Sequence, residues 1–186
     1  MGCSSNGSDF LNHFALVSYL PKTLAVFLDD LRLELSPDCN PHAHVTLLPP
    51  RPVKVEPERV AAEIRQGVTD FPAFEITLGE VEVFQKSHVI YISIAKGAHS
   101  LRELYRALNQ KCVRYQGPFE YHPHITVAQH LDESEVGEAL ETAKRRWESY
   151  TGPRTFRVDT LALVQNQGEN QWRDLADFPL PAPSLR

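Results

Sequence analysis

The sequence predicts a mixed fold of strands and helices, built from a duplicated unit packed with pseudo-twofold symmetry about a central groove. Three observations carry this reading. His42-Ala43-His44-Val45-Thr46-Leu47 and His122-Pro123-His124-Ile125-Thr126-Val127 repeat one His-x-His-x-Thr pattern, 80 positions apart. Around each copy the apolar periodicity gives the same order of strand, helix, histidine strand, helix and strand. The 186 residues, 42% of them hydrophobic, are enough for one domain or for two small lobes sharing a core.

In chain order, His13 to Leu20 reads as a strand ended by Pro21, and Leu24, Val26, Phe27, Leu28, Leu31 and Leu35 give helical spacing from Lys22 to Leu35. The turn before Pro41 delivers the first histidine strand, Ala43 to Leu48, which Pro49-Pro50 should end. Glu56-Pro57-Glu58 opens a second helix that runs to Thr69. Phe74 to Phe84 reads as a strand bent near Gly79. The second unit follows, with a strand from Val89 to Ile94, a helix from Ser100 to Tyr115 and a histidine strand from Pro123 to Gln129. A helix from Asp132 to Tyr150, capped by Asp132 or Ser134, precedes a strand from Thr155 to Gln165, a turn at 166–170 and a short strand from Gln171 to Leu175. Phe156-Arg157-Val158 then corresponds to Phe74-Glu75-Ile76. The expected organisation is a disordered leader over 1–10, one domain over 11–175 made of pseudo-repeats 11–86 and 87–175, and an irregular Pro-rich tail over 176–186.

Composition narrows the function. No run approaches the roughly 20 apolar residues that cross a bilayer, and Met1-Gly2-Cys3-Ser4-Ser5-Asn6 lacks the apolar core of a signal peptide. It also misses a myristoylation signal, because Asn6 stands where Ser or Thr is required. Cys3, Cys39 and Cys112 are odd in number and unpaired by spacing, which points to a reduced, cytoplasmic setting. Cys39 lies in a turn and is set aside as a nucleophile. A net charge of −5 argues against a long or duplex nucleic-acid partner, and Lys144-Arg145-Arg146 reads as a solvated helix face. A short or end-recognised substrate and a monomeric protein remain the expectation.

On an extended strand, residues two apart share a face, so each motif presents an imidazole and a hydroxyl side by side. Two histidines facing one substrate can take complementary protonation states. That suits phosphodiester cleavage: one proton leaves the attacking water, another reaches the departing sugar oxygen, and hydroxyls donate to the phosphoryl oxygens.

His44-Val45-Thr46-Leu47, His124-Ile125-Thr126-Val127 and the opening Phe14-Ala15-Leu16-Val17-Ser18-Tyr19-Leu20-Pro21 together resemble the two-histidine (2H) phosphoesterase superfamily, in its 2'-5' RNA ligase-like branch. The resemblance covers about residues 13–175. It implies a bilobal α+β fold with two mainly antiparallel sheets and helices outside. It also implies hydrolysis, without metal or other cofactor, of a cyclic phosphodiester such as a 2',3'-cyclic nucleotide or RNA end, with reversible 2'-5' ligation as the opposite direction. His44 and His124 would be acid and base, and Thr46 and Thr126 would bind phosphate. Members of this branch often carry Arg three positions after the second motif threonine, where this chain has Gln129 followed by His130. Arg51 is the candidate to supply that charge instead. Tyr19, Tyr91, Phe119 and Tyr121 are candidates for stacking on a base or for core packing.

Two other readings stay open. His-x-His on a strand is a metal-ligand spacing, and four histidines with Glu120 could form a metal-dependent hydrolase site. A binding module could instead recognise phosphorylated nucleotide or RNA ends without turning them over. His42 and His122 read as supporting residues.

Overall fold

Both histidine strands lie at sheet edges, and the rest of the architecture follows from placing those two edges together. The computed structural model describes residues 13–37, 39–168 and 171–183. The predicted leader, with Cys3, lies outside the described residues. In order the elements are β1 (His13–Tyr19), α1 (Lys22–Leu35), β2 (His44–Pro52), α2 (Pro57–Val68), β3 (Phe74–Phe84), β4 (Val89–Lys96), α3 (Ala98–Leu108), β5 (His124–Ala128), α4 (Val136–Glu148), β6 (Thr155–Val158), β7 (Thr160–Gly168) and β8 (Gln171–Pro179), with a 3-10 turn at Lys111–Val113. They form two antiparallel four-stranded sheets, β2-β1-β7-β8 and β5-β4-β3-β6, so the fold is the predicted α+β class.

The duplication has a twist that the sequence order conceals. Each sheet draws strands from both halves of the chain: β3 joins the second sheet beside β4, and β7 returns to the first beside β1. By sheet position β7, not β6, is therefore the counterpart of β3, which corrects the match of Phe156-Arg157-Val158 to Phe74-Glu75-Ile76. Helices exchange in the same way, since α1 packs on β5 and α3 packs on β2. Apolar residues from both sheets and all four α-helices merge into one core, including Leu28, Leu47, Ile64, Leu104, Ile125 and Trp147.

Trp147 is almost fully buried, and its indole N–H donates to the Gly79 carbonyl at 2.8 Å, at the irregularity in β3–β4 pairing between Leu78 and Val81. The predicted bend thus frees a backbone acceptor for a core tryptophan that needs one.

Several boundaries differ from the sequence reading, each for a local reason. Pro49-Pro50 does not end β2, because an edge strand has one side with no ladder to break. Helix α3 stops at Leu108 rather than Tyr115: the Asn109 side chain accepts from the Tyr115 amide at 2.9 Å and donates to its carbonyl at 3.1 Å, offering the backbone a loop in place of a helix. Neither Asp132 nor Ser134 caps α4, which begins at Val136; the Glu135 carboxylate instead accepts from the Asp132 amide. The stretch Thr155–Gln165 is two strands, split at Asp159, where the chain passes from one sheet to the other. Asn166 to Gly168 continue β7 instead of opening a turn. The proline-rich tail is also structured in part: β8 runs to Pro179 on an edge, Phe178 and Leu180 are buried, and the Pro181 carbonyl accepts from the Ala73 amide. Among the described residues no helix is long and apolar enough to cross a membrane.

Candidate active site

The two motifs are positioned alike to a degree that the sequence only hinted at. Residues 41–50 and 121–130 share the same alternation of buried, half-buried and exposed positions, residue for residue. Val45, Leu47, Ile125 and Val127 anchor their strands in the core, which turns His44, Thr46, His124 and Thr126 to the opposite face. That face lines a groove of about 790 Å³ containing all four side chains.

Each imidazole is held in the same way. His44 Nδ1 lies 2.6 Å from the His42 carbonyl, and His124 Nδ1 lies 2.6 Å from the His122 carbonyl. A carbonyl only accepts, so in both rings Nδ1 carries the proton and Nε2 is the nitrogen left free to accept one. Burial pushes the His44 imidazole down to about 4; its hydrogen bond to His42 opposes this, while Arg32, His42 and His124 lower it further. Burial also lowers His124, again against the pull of its carbonyl bond and with a further lowering from His122. His44 thus senses the charge of His124, as expected of two rings in one groove. Burial therefore favours the neutral form of both rings.

Cross-connections fix the strands that carry these groups. Asp29 on α1 accepts from the Ala43 amide at 2.7 Å, and Arg32, one turn on, donates to the Thr126 carbonyl at 2.7 Å. In return, the Tyr121 hydroxyl donates to the Thr46 carbonyl at 2.8 Å. Each motif threonine therefore has its backbone held by a side chain from the other half, while its hydroxyl side faces the groove.

The remaining predicted residues divide. Tyr19 lies in the groove, stacked on His42 with ring centroids 4.4 Å apart, and its hydroxyl donates to Asp174 at 2.6 Å. Tyr121 and Gln129 also line the groove, Tyr121 stacking on Tyr105 at 4.2 Å. Phe119 is exposed at the rim, whereas Tyr91 is buried, stacked on Phe84 and bonded to Glu82, and so belongs to the packing. His122 packs edge-on against Phe84 and Tyr91, a supporting position. Arg51 borders the groove but is buried, and its guanidinium donates to Pro49 O, Asn109 Oδ1 and Val113 O. Its Nε and Nη1 donors are spent on holding loops, which gives Arg51 a structural role at the groove border. No group of three or more His, Cys, Asp or Glu among the described residues is gathered to hold a metal ion.

Sequence reasoning missed Arg32, Asp29 and the groove-lining Trp172. Arg32 did carry a signal: it stands four residues after Leu28, on the helix face that otherwise buries leucines.

The sequence pattern of the 2'-5' RNA ligase superfamily matches residues 20–170. The chain belongs to that superfamily. Solved structures with the same fold include LigT of E. coli complexed with 3'-AMP, 17% identical over 91% of this chain and 98% of that one, with a TM-score of 0.64. TT0787 of Thermus thermophilus is 18% identical over 92% and 100% of the two chains, at 0.63. Usb1 of Kluyveromyces marxianus is 14% identical over 91% and 99%, at 0.59. No curated protein sequence matches this chain. As a superfamily member, the chain carries the motif pair that the sequence reading singled out, on the two edge strands described above.

Proposed function

We propose that this superfamily member is a phosphodiesterase that hydrolyses a cyclic phosphodiester, such as a 2',3'-cyclic nucleotide or RNA end, by metal-independent acid-base catalysis. The observation that carries this reading is the matched anchoring of His44 and His124, each with Nδ1 committed to a carbonyl and Nε2 left for the shared groove. Neutral Nε2 of one ring takes a proton from water as its oxygen attacks phosphorus. The P–O bond to one ribose oxygen breaks, and protonated Nε2 of the other ring delivers a proton to that oxygen. One proton is accepted and one given, so the product is an acyclic phosphomonoester and the two histidines have exchanged protonation states. With an RNA 5'-hydroxyl in place of water and the ribose 3'-oxygen as the leaving group, the same two proton transfers form a 2'-5' linkage, and attack by that 3'-hydroxyl on the linkage reverses the ligation.

Thr46 and Thr126 act as hydroxyl donors to the non-bridging oxygens, whose charge grows in the transition state. Each histidine contributes about 10²- to 10⁴-fold, enough to open a strained ring. The nucleotide complex of LigT, with 3'-AMP, supports a nucleotide-sized ligand for a groove of about 790 Å³. Tyr19, Tyr121 and Gln129 are proposed to contact the nucleoside, with no cofactor, in a monomeric cytoplasmic protein.

The test is a panel of 2',3'-cyclic nucleotides, linear 2'-5' dinucleotides and short RNAs ending in a cyclic phosphate, assayed with and without chelator. Turnover that survives chelation and vanishes in both His44→Ala and His124→Ala is expected. Chelator-sensitive activity restored by zinc would replace this mechanism with the metal-dependent one. Binding without turnover would make the protein a recognition module.

A further inference from the structure

We propose that Arg32 is an anion-binding residue of the groove, whose guanidinium receives the phosphate of the substrate and adds a permanent positive charge to the imidazoles and hydroxyls of the two motifs. This deepens the proposed function and rests on it for the identity of the site. The argument begins with burial. Arg32 is 8% exposed, yet no carboxylate among the described residues pairs with it. Taking a guanidinium out of water costs several kcal/mol unless charge or hydrogen bonds replace the solvent. Here the compensation in the protein alone is incomplete: the Thr126 carbonyl takes Nη1, and Nε is buried with no partner.

Arg51 provides the internal comparison. It is also buried, but its Nε and Nη1 make three hydrogen bonds to loop acceptors, whereas Arg32 makes one and leaves Nε without a partner. Arg51 is built into the structure; Arg32 is left under-satisfied at the wall of the groove.

Placement points the same way. Arg32 touches the backbone of Thr126, a predicted phosphate anchor, and its charge is felt by His44 on the opposite strand. It therefore lies within reach of both motifs. The chain carries a net charge of −5, so an anion site needs a local cation, and Gln129, which lines the groove after the second motif, is neutral. Lys86, which also borders the groove, is exposed on the β3–β4 turn and would retain its hydration. A planar guanidinium suits two oxygens of one phosphate, and at a buried position it gains from weaker solvent screening.

A structural rival exists: Arg32 could serve only as a clamp between α1 and β5. Inorganic phosphate binding, followed by calorimetry on the intact chain, separates the two. Arg32→Gln keeps a donor for the Thr126 carbonyl but loses the charge, and is expected to weaken phosphate binding about tenfold or more while the protein stays folded. Arg32→Lys, which keeps the charge but loses the two-pronged geometry, is expected to bind phosphate more tightly than Arg32→Gln and more weakly than the wild-type protein. Wild-type affinity in folded Arg32→Gln, or no millimolar phosphate binding by the wild-type protein, overturns the proposal. If Arg32→Gln does not fold, the Nε–H resonance of Arg32 in the wild-type protein decides: it moves on phosphate addition, or it stays and the residue is a clamp. Phosphate held through Arg32 with no turnover of any phosphodiester sinks the proposed function and leaves this inference standing. Unaltered KM and kcat in Arg32→Gln do the reverse.

Discussion

The hydroxyl of Tyr121 lies 2.8 Å from the backbone carbonyl of Thr46, so the segment leading into the second histidine strand is tied to the middle of the first. The ring is held independently by its stack on Tyr105. Tyr121→Phe should therefore keep the packing and lose only the bond between strands, leaving a carbonyl short of a partner. A loss of about 1 kcal/mol in urea unfolding is expected, with a fall in kcat as the motifs loosen. Unaltered stability and turnover would show that packing alone sets the register of β2 against β5.

The acid-base pair makes a sharper demand on mutants. His44→Ala and His124→Ala should each lower kcat by at least about 10²-fold, and the double variant should fall little further, because one proton transfer without the other does not complete the reaction. Thr46→Val and Thr126→Val, which keep shape and delete the hydroxyl, should each cost about 10²-fold, in kcat more than in KM. Additive losses in the double histidine variant would indicate separate roles.

The pH profile follows from burial. Both imidazoles lie below the usual histidine value of 6.5, His44 at about 4, so kcat/KM, which reports the free enzyme, should be bell-shaped with its optimum on the acid side of 6.5. Stability carries the same sign. Between about 4 and 6.5 the unfolded chain binds the proton that folded His44 refuses, so stability is full above 6.5 and declines as the pH falls toward 4. Phosphate should raise both values and be taken up together with protons. An optimum above 7, or anion binding without proton uptake, contradicts this account.

Much of this was legible because two periodicities agree. The alternation in His44-Val45-Thr46-Leu47 and in His124-Ile125-Thr126-Val127 forces the histidine and threonine side chains opposite the core, and α1 and α2 follow from apolar spacing, with Glu56-Pro57-Glu58 marking the start of α2. What escaped was set by partners distant in sequence. Nothing local distinguishes a single strand over Thr155–Gln165 from two strands in different sheets, because the break at Asp159 exists only through pairing with β3 on one side and β1 on the other. Pro49-Pro50 ends a central strand but not an edge, and edge status is a property of the whole sheet. Arg32 escaped for the same reason: proximity in sequence to a motif put Arg51 forward, while the packing of α1 on β5 brings Arg32 to the groove wall.

Arg51 yields its own prediction. Its buried guanidinium joins β2 to Asn109 and Val113, beyond α3, so Arg51→Met removes three hydrogen bonds and leaves the buried Val113 carbonyl without its partner. A loss of about 2–4 kcal/mol of stability is expected, read from the urea midpoint. In the fraction that remains folded, phosphate affinity should hold. A stable variant that has lost phosphate binding would return Arg51 to the site and undercut the separation of the two arginines.

Gly97 tests whether the start of α3 matters to the motif it packs against. Its φ of +83° is in the left-handed region, and a Cβ there would meet the Glu75 carbonyl at 2.5 Å and the Ile76 side chain at 2.7 Å. Gly97→Ala combines a disfavoured backbone conformation with a clash against β3, and should cost about 2 kcal/mol or more in thermal or urea unfolding. Because α3 packs on β2, turnover should fall with it while the pH optimum, set by burial of the imidazoles on the groove face, stays in place. A shifted optimum would mean that α3 governs solvation of His44 as well as the placement of its strand.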